Sequence, residues 1–197
     1  MNHPAINRIR SDHRSLAAIL HGMRFLVNDT AVHGTPPNFP VLRSMVYYID
    51  RFSEQLHHPK EDRHLFPAVR ARTHQADEIL ARLERDHAAG AGLIRDLEQS
   101  LIRYEEGGNA EFEQFRRAVE SYAEFHWAHM RCEEDDLLPL AREVLTESDW
   151  SEIAAVFEAD ADPMFGAAQE REMEKVFTHI VSIAPPPIGV GPESPRA

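Results

Sequence analysis

Apolar residues recur every third or fourth position through most of the chain, the stripe of amphipathic helices rather than the alternation of strands. Ile6, Ile9, Leu16, Leu20, Met23 and Val27 mark the first seam, and His13 sits within it. Pro4 suits a first helical turn, and 28–40, with Gly34 and three prolines, predicts a loop. A second helix is predicted from about Phe39 to Arg72, with Leu42, Met45, Ile49, Phe52 and Leu56 as its seam. Beyond Leu56 the stripe moves by one residue, through His57, Glu61, Leu65 and Val69, and Pro59 lies inside the shift. A proline there removes one backbone hydrogen bond and crowds the carbonyl of Gln55, so a kink or π-like bulge is expected.

Thr73 is a candidate N-cap for a third helix, with Asp77 and Glu78 in its early turns. Its seam is Leu80, Leu83, His87, Gly90, Ile94, Leu97, Leu101 and Tyr104, and Gly107-Gly108-Asn109 stops it. A fourth seam reads Phe112, Phe115, Val119, Tyr122, His126, His129, Glu133, Asp136 and Leu140. Four long amphipathic helices with short connections predict an all-α, antiparallel up-down four-helix bundle over residues 1–145. Asp149-Trp150-Ser151-Glu152 resembles a capping box opening a short helix through Phe157. Asp162-Pro163 breaks it, and a further helix is expected over 169–183. Residues 146–184 thus read as a helical C-terminal extension packed on the bundle or a partner. Residues 185–197, opening on three prolines, read as a disordered tail.

Composition narrows the function classes. Hydrophobic residues form 43% of the 197, enough for one core, and the net charge of −12 makes nucleic acid and anionic membranes poor partners. The single cysteine, Cys132, excludes an intramolecular disulfide and a thiolate-rich metal site. Met1 to Arg10 carries charges and no apolar signal segment, and no apolar run is long enough to span a membrane, so a cytoplasmic protein is expected. Of the 12 histidines, His3, His21, His33, His74 and His179 fall near termini, loops or polar faces and read as solvated.

The remaining histidines carry the chemistry. The stretch from His57 to Pro67 matches the stretch from His129 to Pro139 as H-x3-E-[DE]-x2-L-[FL]-P, and each copy follows an Asp-His pair, Asp12-His13 or Asp86-His87. A carboxylate in an apolar seam is very unfavourable without a cation or strong hydrogen bonds. Counted from the helix ends at about 1.5 Å per residue, His13, His57, His87 and His129 reach one level within a few ångströms. His57 and Glu61, like His129 and Glu133, lie one turn apart on one face. With His13 and His87 they give four imidazoles and two bridging carboxylates, a set that fits two metals roughly 3.5–4 Å apart. Imidazole with carboxylate suits iron, manganese or zinc.

His58 with Asp62 is the competing register, and the alignment of Leu65-Phe66-Pro67 with Leu137-Leu138-Pro139 favours His57 with Glu61. Asp62 and Glu134 then become candidates for orienting a ligating histidine. His126 is either an extra ligand or a hydrogen-bonded neighbour lining the cavity. Glu84, three residues before His87, matches the Glu-x-x-His of di-iron carboxylate bundles, with a surface position as its alternative. Tyr122 reads as cavity lining or packed core, and Cys132 as a bystander thiol off the ligand face.

With these residues in hand, the chain resembles the hemerythrin-like family of HHE cation-binding domains over roughly His13 to Leu140. The resemblance implies a non-haem di-iron centre, oxo- or hydroxo-bridged, with His13, His57, Glu61, His87, His129 and Glu133 as ligands. It also implies reversible binding or reduction of O2, NO or peroxide. The expected role is sensing, storage or detoxification, and a redox partner and a monomeric or homodimeric chain are further expectations. Oxygen-carrying members place a second histidine one turn from the helix-three ligand, where Leu83 and Ala91 flank His87 here. That departure disfavours a dedicated oxygen carrier and favours a more open centre. The alternatives are a di-iron oxidoreductase reducing peroxide, an iron–sulfur cluster repair protein, and a helical adaptor docking through Met164-Phe165-Gly166.

Overall fold

Helix follows helix along the chain, and no strand interrupts them among the residues that the computed structural model describes, 3–157 and 166–193. Helix α1 is Pro4–His33, α2 spans 39–72, α3 is Asp77–Gly107, α4 spans 109–144, α5 is Glu147–Phe157 and α6 is Gly166–Ile183. The His3 side chain accepts from the Ala5 N–H to cap α1, and Gly34, at φ 68°, ends it in the left-handed region that glycine tolerates. Asn38 caps α2 by accepting from the Val41 N–H.

Two caps differ from expectation. Thr73 accepts from the Gln75 N–H in a turn before α3, which starts only at Asp77 with Ala76 ahead of it. In α5 the reciprocal pair lies one turn earlier than predicted. The Thr146 hydroxyl accepts from the Asp149 N–H at 3.2 Å, and the Asp149 carboxylate accepts from the Thr146 N–H at 2.8 Å. Asp149 is therefore the return partner of the cap, and it also holds Arg72 through two bonds of 2.9 Å, tying the end of α2 to the start of α5.

The bulge expected at Pro59 is larger and occurs again elsewhere. Helix α2 winds as π-helix over Asp50–His57 and Glu61–Leu65, and α4 does so over Glu133–Leu137. Each wide turn closes on an N–H five residues ahead of its carbonyl: His58 to Ser53, Phe66 to Glu61, and Leu138 to Glu133. The residue after each of those donors is a proline, Pro59, Pro67 or Pro139. Proline lacks the N–H for the next α-type bond and its ring crowds the carbonyl four residues back, so a widened turn relieves both problems. The extra residue per turn rotates His57, His58 and Glu61 inward together.

The core is two apolar masses with a polar layer between them. One gathers Leu16, Leu20, Met23, Met45, Ile49, Leu97, Tyr104 and Phe115, and the other Ile6, Ile9, Leu65, Phe66, Leu80, Leu83, Leu137 and Phe157. The buried polar residues between them include Asp12, His13, His57, His58, Glu61, His87, His126, His129 and Glu133.

Helix α6 lies on α2, with Phe177 against Tyr48 at 5.7 Å between ring centres and Glu172 accepting from the Tyr47 hydroxyl. Residues 185–191, expected as part of a disordered tail, instead fold back on α6. The Val190 N–H donates to the Val181 carbonyl at 2.9 Å and the Gly191 N–H to Ala184 at 2.8 Å. Ile188 reaches Gly22 of α1, where any Cβ would crowd it at 2.9 Å. Apolar anchorage within a proline-rich composition explains the order. Asp162-Pro163 and Met164-Phe165 lie outside the described residues, as do 194–197.

Candidate metal centre

The six residues singled out as ligands meet in the polar layer. His13 comes from α1, His57 and Glu61 from α2, His87 from α3, and His129 and Glu133 from α4; none is more than 8% exposed. Their donor atoms form two sets. His13 Nε2 and His57 Nε2 face each other at 3.3 Å, and His87 Nε2 and His129 Nε2 do so at 3.2 Å. Each carboxylate reaches both sets. Glu61 places Oε1 3.2 Å from His57 Nε2 and Oε2 3.6 Å from His87 Nε2, while Glu133 places Oε2 3.0 Å from His13 Nε2 and Oε1 3.7 Å from His129 Nε2. In each set four donor atoms lie within 4.8 Å of one another.

Hydrogen bonding does not account for these groups. All four oxygens of Glu61 and Glu133 are buried without a hydrogen-bond partner. A carboxylate so placed is destabilising by several kcal/mol unless a cation compensates it. Cations held between these imidazoles and carboxylates would satisfy the orphaned oxygens of Glu61 and Glu133, so the residues fit a metal site with two adjoining donor sets.

The outer nitrogens are held by a second ring of carboxylates. His13 Nδ1 meets Glu134 at 2.8 Å, His57 Nδ1 meets Asp12 at 3.1 Å, and His87 Nδ1 meets Asp62 at 2.8 Å. Asp86 stands 3.5 Å from His129 Nδ1, a looser contact. A proton held on Nδ1 leaves the Nε2 lone pair pointing inward, the tautomer a metal requires. The ring follows the sequence repeat. The aspartate before each early histidine serves the H-x3-E histidine of its own half, and the acid after each glutamate serves the early histidine of the other half. Asp62 and Glu134 were anticipated in this role. Asp12 and Asp86 were not, although the doubled Asp-His pair carried the signal.

Without a cation, the buried carboxylates favour protonated imidazoles at His13 and His57. Burial alone would lower His13, but Glu133 and Glu134 raise it to about 9. Against the same burial, Glu61 and Asp12 raise His57 well above the ordinary range. Burial opposes ionisation of Glu133, yet His129 and His13 hold its carboxyl far below the usual carboxylate range. His129 is pushed down, chiefly by burial.

A second cluster adjoins the centre. His58 is buried and stacks on His87 at 4.1 Å between ring centres, and one of its nitrogens lies within 4.8 Å of donors from His87 and His129. His58 Nε2 is 3.1 Å from the Ser53 hydroxyl, while Nδ1 lies 3.5 Å from Glu54 without hydrogen-bond alignment. His126 is fully buried with neither nitrogen hydrogen-bonded, and burial with the neighbouring His129 pushes it down to about 3. Glu54, which the sequence did not single out, stands 3.6 Å from His126, accepts from the Tyr122 hydroxyl at 3.4 Å, and is raised by burial to about 7. Glu84 is exposed and paired with Arg70 at 2.9 Å, the surface alternative. Cys132 is buried and contributes to none of the metal-competent groups among the described residues. His21, His33, His74 and His179 are exposed as expected, whereas His3 is half-buried in its capping role and stacks on Trp150.

Two grooves approach the centre. One of about 300 Å³ opens between α2 and α3 over Glu54, His58, Asp62, His87 and Ala91. Another of about 360 Å³ lies between α1 and α4 beside His13, Arg14, Trp127 and Glu134.

No helix among the described residues is long and apolar enough to cross a membrane. No match was found among curated proteins or solved structures. A family model described as hemerythrin HHE cation binding domain matches residues 5–141, which run through α1 to α3 and most of α4.

Proposed function

The chain belongs to the hemerythrin HHE cation-binding domain family, and from that premise we propose that it is a cytoplasmic non-haem di-iron protein binding O2, NO or peroxide for sensing, storage or detoxification. In this reading α1 to α4 form the antiparallel up-down bundle. The observation that carries it is the pairing of four inward Nε2 atoms into two sets, with one oxygen of Glu61 and one of Glu133 offered to each. A donor set of imidazole and carboxylate without thiolate suits iron among other first-row metals. Bound iron would supply a reversible change of oxidation state and an exchangeable position for a small ligand.

The protein's own groups do the rest. Glu134, Asp12 and Asp62 hold protons on Nδ1 of His13, His57 and His87 and fix those rings. The apolar masses on either side, Ile49 and Phe52 on one and Leu65, Phe66 and Leu137 on the other, limit water around the layer. The groove over Ala91 supports a second reading, in which peroxide is turned over rather than held, because it gives substrate a way past His87.

Anaerobic reconstitution with ferrous iron, metal quantitation, and absorption spectra before and after O2, NO or peroxide test both readings. Two irons per chain with a stoichiometric, reversible spectral change is expected for binding. Consumption of peroxide beyond stoichiometry selects the oxidoreductase. Well under two irons per chain overturns the di-iron assignment.

A further inference from the structure

The groove between α2 and α3 has a chemical character that a passage for a neutral diatomic gas does not need. At its inner end is the Glu54 carboxylate, only 6% exposed, whose neighbours among the described residues are His58, His126 and Tyr122 rather than an arginine or lysine. Beside it, His58 Nδ1 is buried and without a hydrogen bond. Gly90 of α3 makes the arrangement feasible, since a Cβ at that position would fall on the Glu54 carboxylate. The outer end is acidic as well, with Asp62 and Glu84 on the walls, although Arg70 pairs with Glu84. Ala88 and Ala91 leave the groove wide where a larger residue on α3 would close it.

We propose that this groove is the route by which a divalent cation enters the centre, and that Glu54 and His58 form a transient cation site at its inner end. The proposal rests on the dinuclear reading above. Glu54 takes the cation from the acidic mouth, and its charge offsets the loss of hydration as the cation leaves bulk water. His58, whose Nδ1 lies 3.5 Å from the Glu54 carboxylate, receives it. The same imidazole has a nitrogen within 4.8 Å of donors from His87 and His129, so the cation can pass to that pair without being released. Neither Glu54 nor His58 belongs to the two four-donor sets, each of which already has two imidazoles and two carboxylates, and His58 meets only His87 and His129 in a third group.

Metal-free full-length protein mixed anaerobically with cobalt(II), followed by the visible absorption of the bound ion, measures loading directly. Glu54→Gln and His58→Gln are expected to slow loading about tenfold or more while the final stoichiometry stays at two, the range by which charged clefts raise on-rates. Gly90→Ala, which keeps every donor but displaces the Glu54 carboxylate, is expected to slow it likewise. Arg131→Ala, on the other groove, is expected to load as the parent does. Parental loading rates in Glu54→Gln and His58→Gln would overturn the route. So would loss of final stoichiometry at an unchanged rate, which would make these residues permanent ligands. If the parent chain itself takes up no pair of cations, the dinuclear reading fails first and the route with it.

Discussion

His13 Nε2 and His57 Nε2 approach to 3.3 Å, while the Nδ1 atom of each ring is turned to a carboxylate, Glu134 at 2.8 Å and Asp12 at 3.1 Å. Two imidazoles in the Nδ1-protonated tautomer would bring two lone pairs together, an arrangement that a shared cation or proton must relieve. Without metal the carboxylates around His13 raise it to about 9 against its burial, which favours a proton in that position. Metal must displace that proton. Titration calorimetry at pH 7.5 in buffers of different ionisation enthalpy should therefore show protons released on binding, at least about one per pair of metals. Binding without proton release would show that no proton sits between the two rings.

Stability of the metal-free chain should peak near neutrality. His13 in the folded chain lies above its ordinary value of 6.5, at about 9, so its stabilising contribution is complete below 6.5 and is lost as pH rises through 9. The full contribution is on the order of 3 kcal/mol. His126 is shifted the other way, to about 3, so its contribution is present above 6.5 and is lost as pH falls toward 3. Urea denaturation in the presence of chelator from pH 5 to pH 10 should give a maximum near 6.5. A steady rise to pH 9 would show that His13 is not proton-loaded. With metal bound, the loss above 6.5 should vanish, because the cation replaces the proton.

The outer carboxylates should act on metal affinity far more than on folding. Glu134→Gln and Asp62→Asn each keep shape and hydrogen-bonding capacity but remove the charge that holds the imidazole proton at 2.8 Å. Each should weaken metal binding about 10- to 100-fold in chelator competition. Asp86→Asn should cost less, because its contact with His129 is 3.5 Å and unaligned. Equal effects at all three positions would mean that net charge, rather than ring orientation, sets the affinity.

The apolar seams made the four long helices and their common level readable, because a stripe of fixed period reports which face is buried. The six candidate donors stood out for the opposite reason, as polar residues in or beside that stripe at His13, His57, Glu61, His87, His129 and Glu133. The outer ring was only half readable. Asp12 and Asp86 each precede a candidate ligand in the sequence, and that adjacency does not say which imidazole a side chain reaches across the bundle. Glu54 was invisible because its role depends on Gly90 of another helix. The C-terminal fold-back was misread because its composition favours disorder, while its order comes from contacts of Ile188 and from hydrogen bonds to Val181 and Ala184.

The prolines give the last prediction. A single kink at Pro59 was expected, but the same wide turn recurs before Pro67 and Pro139, inside both copies of the repeat. Both glutamates that bridge the two sets, Glu61 and Glu133, begin such a turn, and their carbonyls accept from Phe66 and Leu138. Replacing proline with alanine restores the missing N–H and removes the clash, so the chain can return to α-type bonds from residue 67 to Arg63 and from residue 139 to Asp135. That shift rotates the glutamate relative to the leucine and phenylalanine anchors behind it. Pro67→Ala and Pro139→Ala should therefore leave the metal-free chain as stable or more stable, by up to about 3 kcal/mol. They should weaken metal binding about tenfold or more, the scale expected when the shell supporting a ligand is disturbed. Circular dichroism melts with chelator, set beside cobalt(II) competition, read the two effects separately. Unchanged affinity in the double variant would show that the wide turns arise from the metal-binding side chains and not from the prolines.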